Sequence, residues 1–86
     1  MENTPLEFPG QHPVKVMGRH SPEFRETVFG VLEQLGTPPR PETVAERPSR
    51  DGTYVSLTFE VWVASRDDLD GIYRALHATG LVIFAL

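Results

Sequence analysis

The stretch "TYVSLTFEVWVA", residues 53–64, restricts this chain more than any other. Val55, Leu57, Phe59, Val61 and Val63 alternate with Tyr54, Ser56, Thr58, Glu60 and Trp62. Successive side chains of a strand point to opposite faces, so 54–64 reads as one long strand with an apolar face and a largely polar one. A sheet covered on both sides would read as continuously apolar instead. The sheet that holds this strand is therefore packed on one face and open on the other.

Two helical stripes supply the cover. Ser21 suits an N-cap and Pro22 falls at the first helical position, where its missing N–H costs nothing. Phe24, Val28, Val31, Leu32 and Leu35 then share one helical face, until Gly36 and Pro38-Pro39 end the segment. Further on, Ser65 and Asp68 have capping-box spacing, and Asp67 and Asp68 suit the positive end of a helix dipole. Leu69, Ile72, Tyr73 and Leu76 form the second stripe, closed by Gly80.

Three shorter strands complete the order. Val14 to Gly18 alternates briefly before the first helix. Thr43 to Arg47 is charged and closed by Pro48, which suits a sheet edge. Asp51-Gly52 then marks a hairpin turn into the long strand, and Leu81 to Leu86 forms the last one. The expected fold is an α+β, ferredoxin-like βαββαβ sandwich. Its four-stranded antiparallel sheet has the order 4-1-3-2, with both helices on one face. Residues 1–13, with three of the eight prolines, are expected as an irregular N-terminal arm, from which Leu6 and Phe8 tack onto a single domain over 14–86.

Composition removes several classes of function. There is no cysteine, so disulfides, thiolate metal sites and a cysteine nucleophile are excluded, which fits a reducing cytoplasm. The net charge of −4 and the scatter of seven Arg and one Lys argue against a nucleic-acid surface. The longest apolar run, 81–86, is far short of the roughly 20 residues that span a membrane. The first twenty residues lack the pattern of a secretory signal. His12, His20 and His77 have no metal-ligand spacing and read as surface histidines. Asp67-Asp68-Leu69-Asp70-Gly71 lacks the alternation and terminal Glu of a calcium loop. No nucleophile elbow, Ser-His-acid arrangement or glycine-rich phosphate loop is legible, so neither catalysis nor a cofactor is expected.

Several stretches together resemble the YbeD-like family of small bacterial proteins: "LEFP" at 6–9, "KVMG" at 15–18, Pro22, "PSRDGTYVSLTF" at 48–59 and "IYRAL" at 72–76. The resemblance covers nearly the whole chain in order. It implies a ferredoxin-like fold akin to ACT regulatory domains, no established activity, and an association with lipoate-attachment genes. In ACT domains a glycine at the end of the first strand, with the turn after it, helps to bind a small effector. Gly18 stands at the matching strand end, and Pro22 and Phe24 match the start of the ACT helix. The ACT pattern has glycine after that proline, whereas Glu23 adds bulk and negative charge here.

Two functions follow as expectations. The first is a non-catalytic regulatory or adaptor domain that binds a protein partner through Tyr54 and Trp62 on the open face, in lipoate metabolism. A tryptophan on a solvated face offers a large contact area at little entropy cost. The competing expectation for Trp62 is that the N-terminal arm or the end of the long strand folds over it. The second function is an ACT-type sensor of an amino acid or anion. It would hold its ligand at Gly18, Arg19, His20 and Ser21, where the free N–H groups of a helix start favour negative charge. Aromatic residues on such an open face can also bind RNA, but Tyr54 and Trp62 stand eight positions apart on an acidic chain. The chain alone identifies neither partner nor oligomeric state.

Overall fold

In the computed structural model, which describes residues 7–86, the apolar side chains of the long strand form the floor of the core. That strand (β3, Tyr54–Val63) pairs antiparallel along its whole length with β1 (Gly10–Arg19), opposite residues running from Gly10 and Val63 to Arg19 and Tyr54. The remaining strands, β2 (Ala45–Pro48) and β4 (Val82–Ala85), lie at the edges, and the order is β2-β3-β1-β4. This is the expected 4-1-3-2 sheet. Helices α1 (Pro22–Gln34) and α2 (Arg66–Ala78) cover one face, α1 with Phe24, Val28 and Leu32, α2 with Leu69, Ile72 and Leu76. Gly36 and Gly80 end the two helices at φ +78 and +79, a region that glycine enters without steric penalty.

Strand β1 starts at Gly10, four residues earlier than expected, so the boundary between arm and domain moves with it. Pro13 lies inside the strand because its missing N–H is not needed there. Lys15 exchanges both main-chain hydrogen bonds with Leu86, on the side away from β3. Two residues earlier, the main chain of Pro13 faces that same side, beyond the end of β4. The longer strand also corrects the reading of His12 as a surface histidine. It stands opposite Val61 on the packed face and is 6% exposed, with its ring stacked on Phe8 at 4.6 Å. Its Nε2 lies 2.7 Å from the Glu7 carbonyl oxygen. Phe8 packs against the core as expected, whereas Leu6 lies outside the described residues.

Strand β2 is displaced in the opposite sense. Residues Pro41–Thr43 form a short 3-10 turn and not the start of a strand. Thr43 still serves the sheet, because its hydroxyl accepts from the Glu60 N–H at 2.9 Å while the Arg40 N–H donates to the Glu60 carbonyl. A side chain here takes the place of a main-chain partner.

The two helix starts differ. Ser65 Oγ accepts from the Asp68 N–H at 3.1 Å, whereas the hydroxyl of Ser21 makes no capping bond. Ser65→Ala should therefore destabilise the fold by about 1 kcal/mol and Ser21→Ala by only a few tenths, as measured by urea denaturation. Equal losses would show that the Ser65 bond adds nothing beyond local propensity.

Candidate functional site

The four residues expected to hold a ligand at the helix entrance do not act as a group. Gly18 points into the core, opposite Val55 on β3 and Val82 on β4. Arg19 is next in the alternation, so it falls on the open face opposite Tyr54. Only His20 and Ser21 remain at the entrance, where with Pro22 they border a hollow of about 350 Å³. Its far wall is the ion pair between Arg25 Nη1 and Glu46 Oε1, at 2.8 Å. The one Arg or Lys in that wall is thus already paired with Glu46, so among the described residues the hollow offers an anion no free guanidinium or ammonium group. A second hollow of similar volume lies between the residues after α1 and the first turn of α2. Asp67 and Asp68, which border it, already complement that helix end.

The open face of the sheet is more organised. Cross-strand register sets its residues in rows. One row runs Arg47, Ser56, Met17 and Phe84 across β2, β3, β1 and β4. The next runs Ala45, Thr58, Lys15 and Leu86, the last joined to Lys15 by the paired main-chain bonds described above. Tyr54 and Arg19 stand beyond the first row, while Glu60 with Pro13 and Trp62 with Gln11 stand beyond the second. Among the described residues, no helix covers these side chains. Trp62 is 52% exposed, and Phe84 and Leu86 are also exposed. The main chain of Trp62 is tied down by Thr37, whose hydroxyl donates to its carbonyl at 2.7 Å, but the indole remains half open to solvent.

Met17, Lys15, Arg47, Tyr54 and Ser56 enclose a hollow of about 210 Å³ on this face. Ser56 is its floor, only 9% exposed on a face otherwise open to water, because the longer side chains around it shade it. The hairpin turn beside the hollow is held by Asp51. Its carboxylate accepts from the Thr53 N–H and the Ser49 hydroxyl, both at 3.0 Å, and these bonds keep its pKa below the usual carboxylate value. That acid is committed to the turn.

Tyr54 and Trp62 were identifiable from alternation as open-face residues. Lys15, Met17, Arg47, Ser56, Phe84 and Leu86 were not singled out, since nothing local in the chain says that they become neighbours. The parity of β1 around Val14 and Val16 would have placed Lys15 and Met17 on the same face. Among the described residues, no three His, Cys, Asp or Glu side chains gather as a metal site, and no helix is long and apolar enough to cross a membrane.

Known proteins similar to this chain fall into two sets. A family model described as "Protein of unknown function (DUF493)" matches residues 3–86. A UPF0250 protein from Bordetella parapertussis is 42% identical over 85 residues, covering 99% of this chain and 93% of that one. A UPF0250 protein from Paraburkholderia phytofirmans is 46% identical over 77 residues, covering 90% and 86%. Among solved structures, protein HP0495 from H. pylori superposes with a TM-score of 0.79 at 14% identity, over 99% of this chain and 89% of that one. The ACT domain of a GTP pyrophosphokinase from Chlorobium tepidum gives 0.71 at 17% identity, over 88% and 94%. At these identities the structures establish a shared ferredoxin-like, ACT-type fold.

Proposed function

This chain belongs to the DUF493 family, and from that premise we propose that it is a small, non-catalytic regulatory or adaptor domain that binds a protein partner on the open face of its sheet. One observation carries the proposal: Trp62, Phe84 and Leu86 are exposed on a face that no element among the described residues covers. Apolar side chains held on a rigid sheet lose little entropy on contact, and tryptophan is a frequent anchor of protein interfaces. The likeness to ACT domains supports a regulatory role by analogy of fold. The resemblance to YbeD-like proteins supports a cytoplasmic partner within lipoate metabolism.

Trp62→Ala separates binding from packing. With half its surface in water, the indole should add less than about 1 kcal/mol to stability, so Tm should move by only a few degrees. Partner recovery should fall sharply when wild-type and variant chains are used as baits in a lysate of the native organism and prey are quantified by mass spectrometry. A large loss of Tm with undiminished recovery would assign Trp62 to packing.

A further inference from the structure

Charge is distributed unevenly between the two sides of the molecule. The helical side carries Glu23, Glu26 and Glu33 on α1 and Asp67, Asp68 and Asp70 on α2, against Arg25, Arg66 and Arg74. On the open face the side-chain charges are Lys15, Arg19 and Arg47 against Glu60 alone. A chain of net charge −4 thus presents a cationic sheet face. Among the described residues the ion pairs are Arg25 with Glu46, Arg40 with Glu42, and Arg66 with Asp70. None of them engages Lys15, Arg19 or Arg47.

The cations also have a fixed relation to apolar surface. In the row from Arg47 to Phe84, the β2 end is charged, Ser56 and Met17 lie between, and the β4 end is aromatic. The next row places Lys15 beside Leu86. Between Lys15 and Arg47 lies the 210 Å³ hollow, bordered also by Tyr54 and by Ser56, whose hydroxyl donates to the Arg47 carbonyl at 3.4 Å. Two positive side chains, unpaired among the described residues, suit a carboxylate, and the neighbouring Phe84, Met17 and Leu86 suit apolar side chains on the same ligand.

We propose that this hollow, bounded by Lys15, Arg47, Ser56, Met17 and Tyr54, recognises carboxylates of an acidic segment of a partner protein lying across the open face. Its acidic residues face Arg47 of β2 and Lys15 of β1, and its apolar residues face Phe84 and Leu86 on the β4 side. The inference rests on the open face being the partner surface, and adds to it the chemistry of the partner. A nucleic acid fits this face less well. Stacked bases need aromatic side chains on neighbouring central strands, and β1 offers Gln11, Pro13, Lys15, Met17 and Arg19. Tyr54 and Trp62, both on β3, are eight residues and roughly 26 Å apart.

The test is an amide NMR titration of the full chain at low salt. The probe is a synthetic peptide of about ten residues that mixes glutamate with leucine and phenylalanine, a length that spans the sheet. The amides of Lys15, Met17, Arg47 and Ser56 should move saturably, and roughly 0.5 M NaCl should suppress the effect, because exposed charges are screened over a few ångströms. Lys15→Glu and Arg47→Glu should each weaken binding about tenfold. Both side chains are exposed, so spectra of the free variants should keep the wild-type dispersion. The double variant should lose the glutamate peptide and gain the matching lysine peptide.

Several results would overturn the assignment. These are equal binding of a glutamine version of the peptide, indifference to both charge reversals, or tighter binding of inorganic phosphate or oligouridylate at the same amides. Movement of those amides with protein concentration alone would make the occupant a second copy of the chain, and would overturn it as well. If Trp62→Ala loses the partner in lysate while Lys15→Glu and Arg47→Glu retain it, the partner surface stands and its acidic chemistry falls. If all three variants retain the partner, both readings fall.

Discussion

Phe59→Ala is expected to destabilise the domain by about 3–5 kcal/mol, a large part of the roughly 5–15 kcal/mol that holds a domain of this kind together. The ring is fully buried at the middle of the central strand β3, paired with Val14 on β1 and set edge-on to Phe29 of α1 at 5.8 Å. Truncation therefore removes both the burial of the ring and an aromatic contact between sheet and helix. The space it leaves lies between layers fixed by the pairing of β1 with β3, so the neighbours can collapse into it only in part. In a domain of this size, each kcal/mol corresponds to about 4–8 °C in Tm, so the shift should be on the order of 20 °C or the variant should fail to fold. Trp62→Ala is the matched comparison, three residues along the same strand and on the opposite face. A calorimetric scan that found the two variants equally stable would refute the two-faced account of β3.

That account was legible because burial on a strand has a period of two, and in β3 only Ser56, shaded on the open face, departs from it. The helices were legible for a similar reason: Pro22, Ser65, Gly36 and Gly80 punctuate the chain at positions where local backbone chemistry alone decides. The N-terminal part was harder to read. Pro9 and Pro13 look like an irregular arm until the pairing is known: Pro13 stands opposite Glu60 in a stretch of β1 that, among the described strands, pairs with β3 alone. His12 followed from that error. A histidine two positions before Val14 belongs to the packed face once the strand extends to it, and its polar nitrogen is met by the Glu7 carbonyl.

The candidate surface was legible only in halves. Parity along β3 put Tyr54 and Trp62 on the open face, and the structure leaves both exposed there. Their neighbours depend on register between strands far apart in the chain, which strand order does not determine. The irregularity between Met17 and Gly18 is a clear case. It shifts β4 by one residue, so that Phe84 stands opposite Met17 while Val82 stands opposite Gly18, and Ile83 between them is left exposed and unpaired with β1. No local pattern in "LVIFAL" announces that bulge, yet it brings Phe84 onto the row of Arg47 and Ser56.

The second large effect is expected at Gly18, where β1, α1 and β4 converge. A β-carbon there would stand 2.3 Å from Cε1 of Phe24 and 2.4 Å from the carbonyl oxygen of Leu81. Phe24 is buried and cannot swing away, and the Leu81 carbonyl is main chain at the entrance to β4. Relief would have to come from moving α1 off the sheet or from breaking the pairing of Gly18 with Val82. Gly18→Ala should therefore cost about 3 kcal/mol, the upper part of the usual range for overpacking, and should loosen β4 first, seen as faster amide exchange at Val82 and Phe84. Gly30 is the control. It lies within α1 with nothing within 4 Å of an added β-carbon, so Gly30→Ala should stabilise by roughly 0.5–1 kcal/mol. Opposite signs from the same added methyl group would assign Gly18 to the close approach of three elements. Should Gly18→Ala instead keep the wild-type Tm, the packing at this corner would have to be looser than the distances imply. The helix entrance at His20 and Ser21 could then open to admit a small anion, and phosphate should perturb the Gly18 to Phe24 amides.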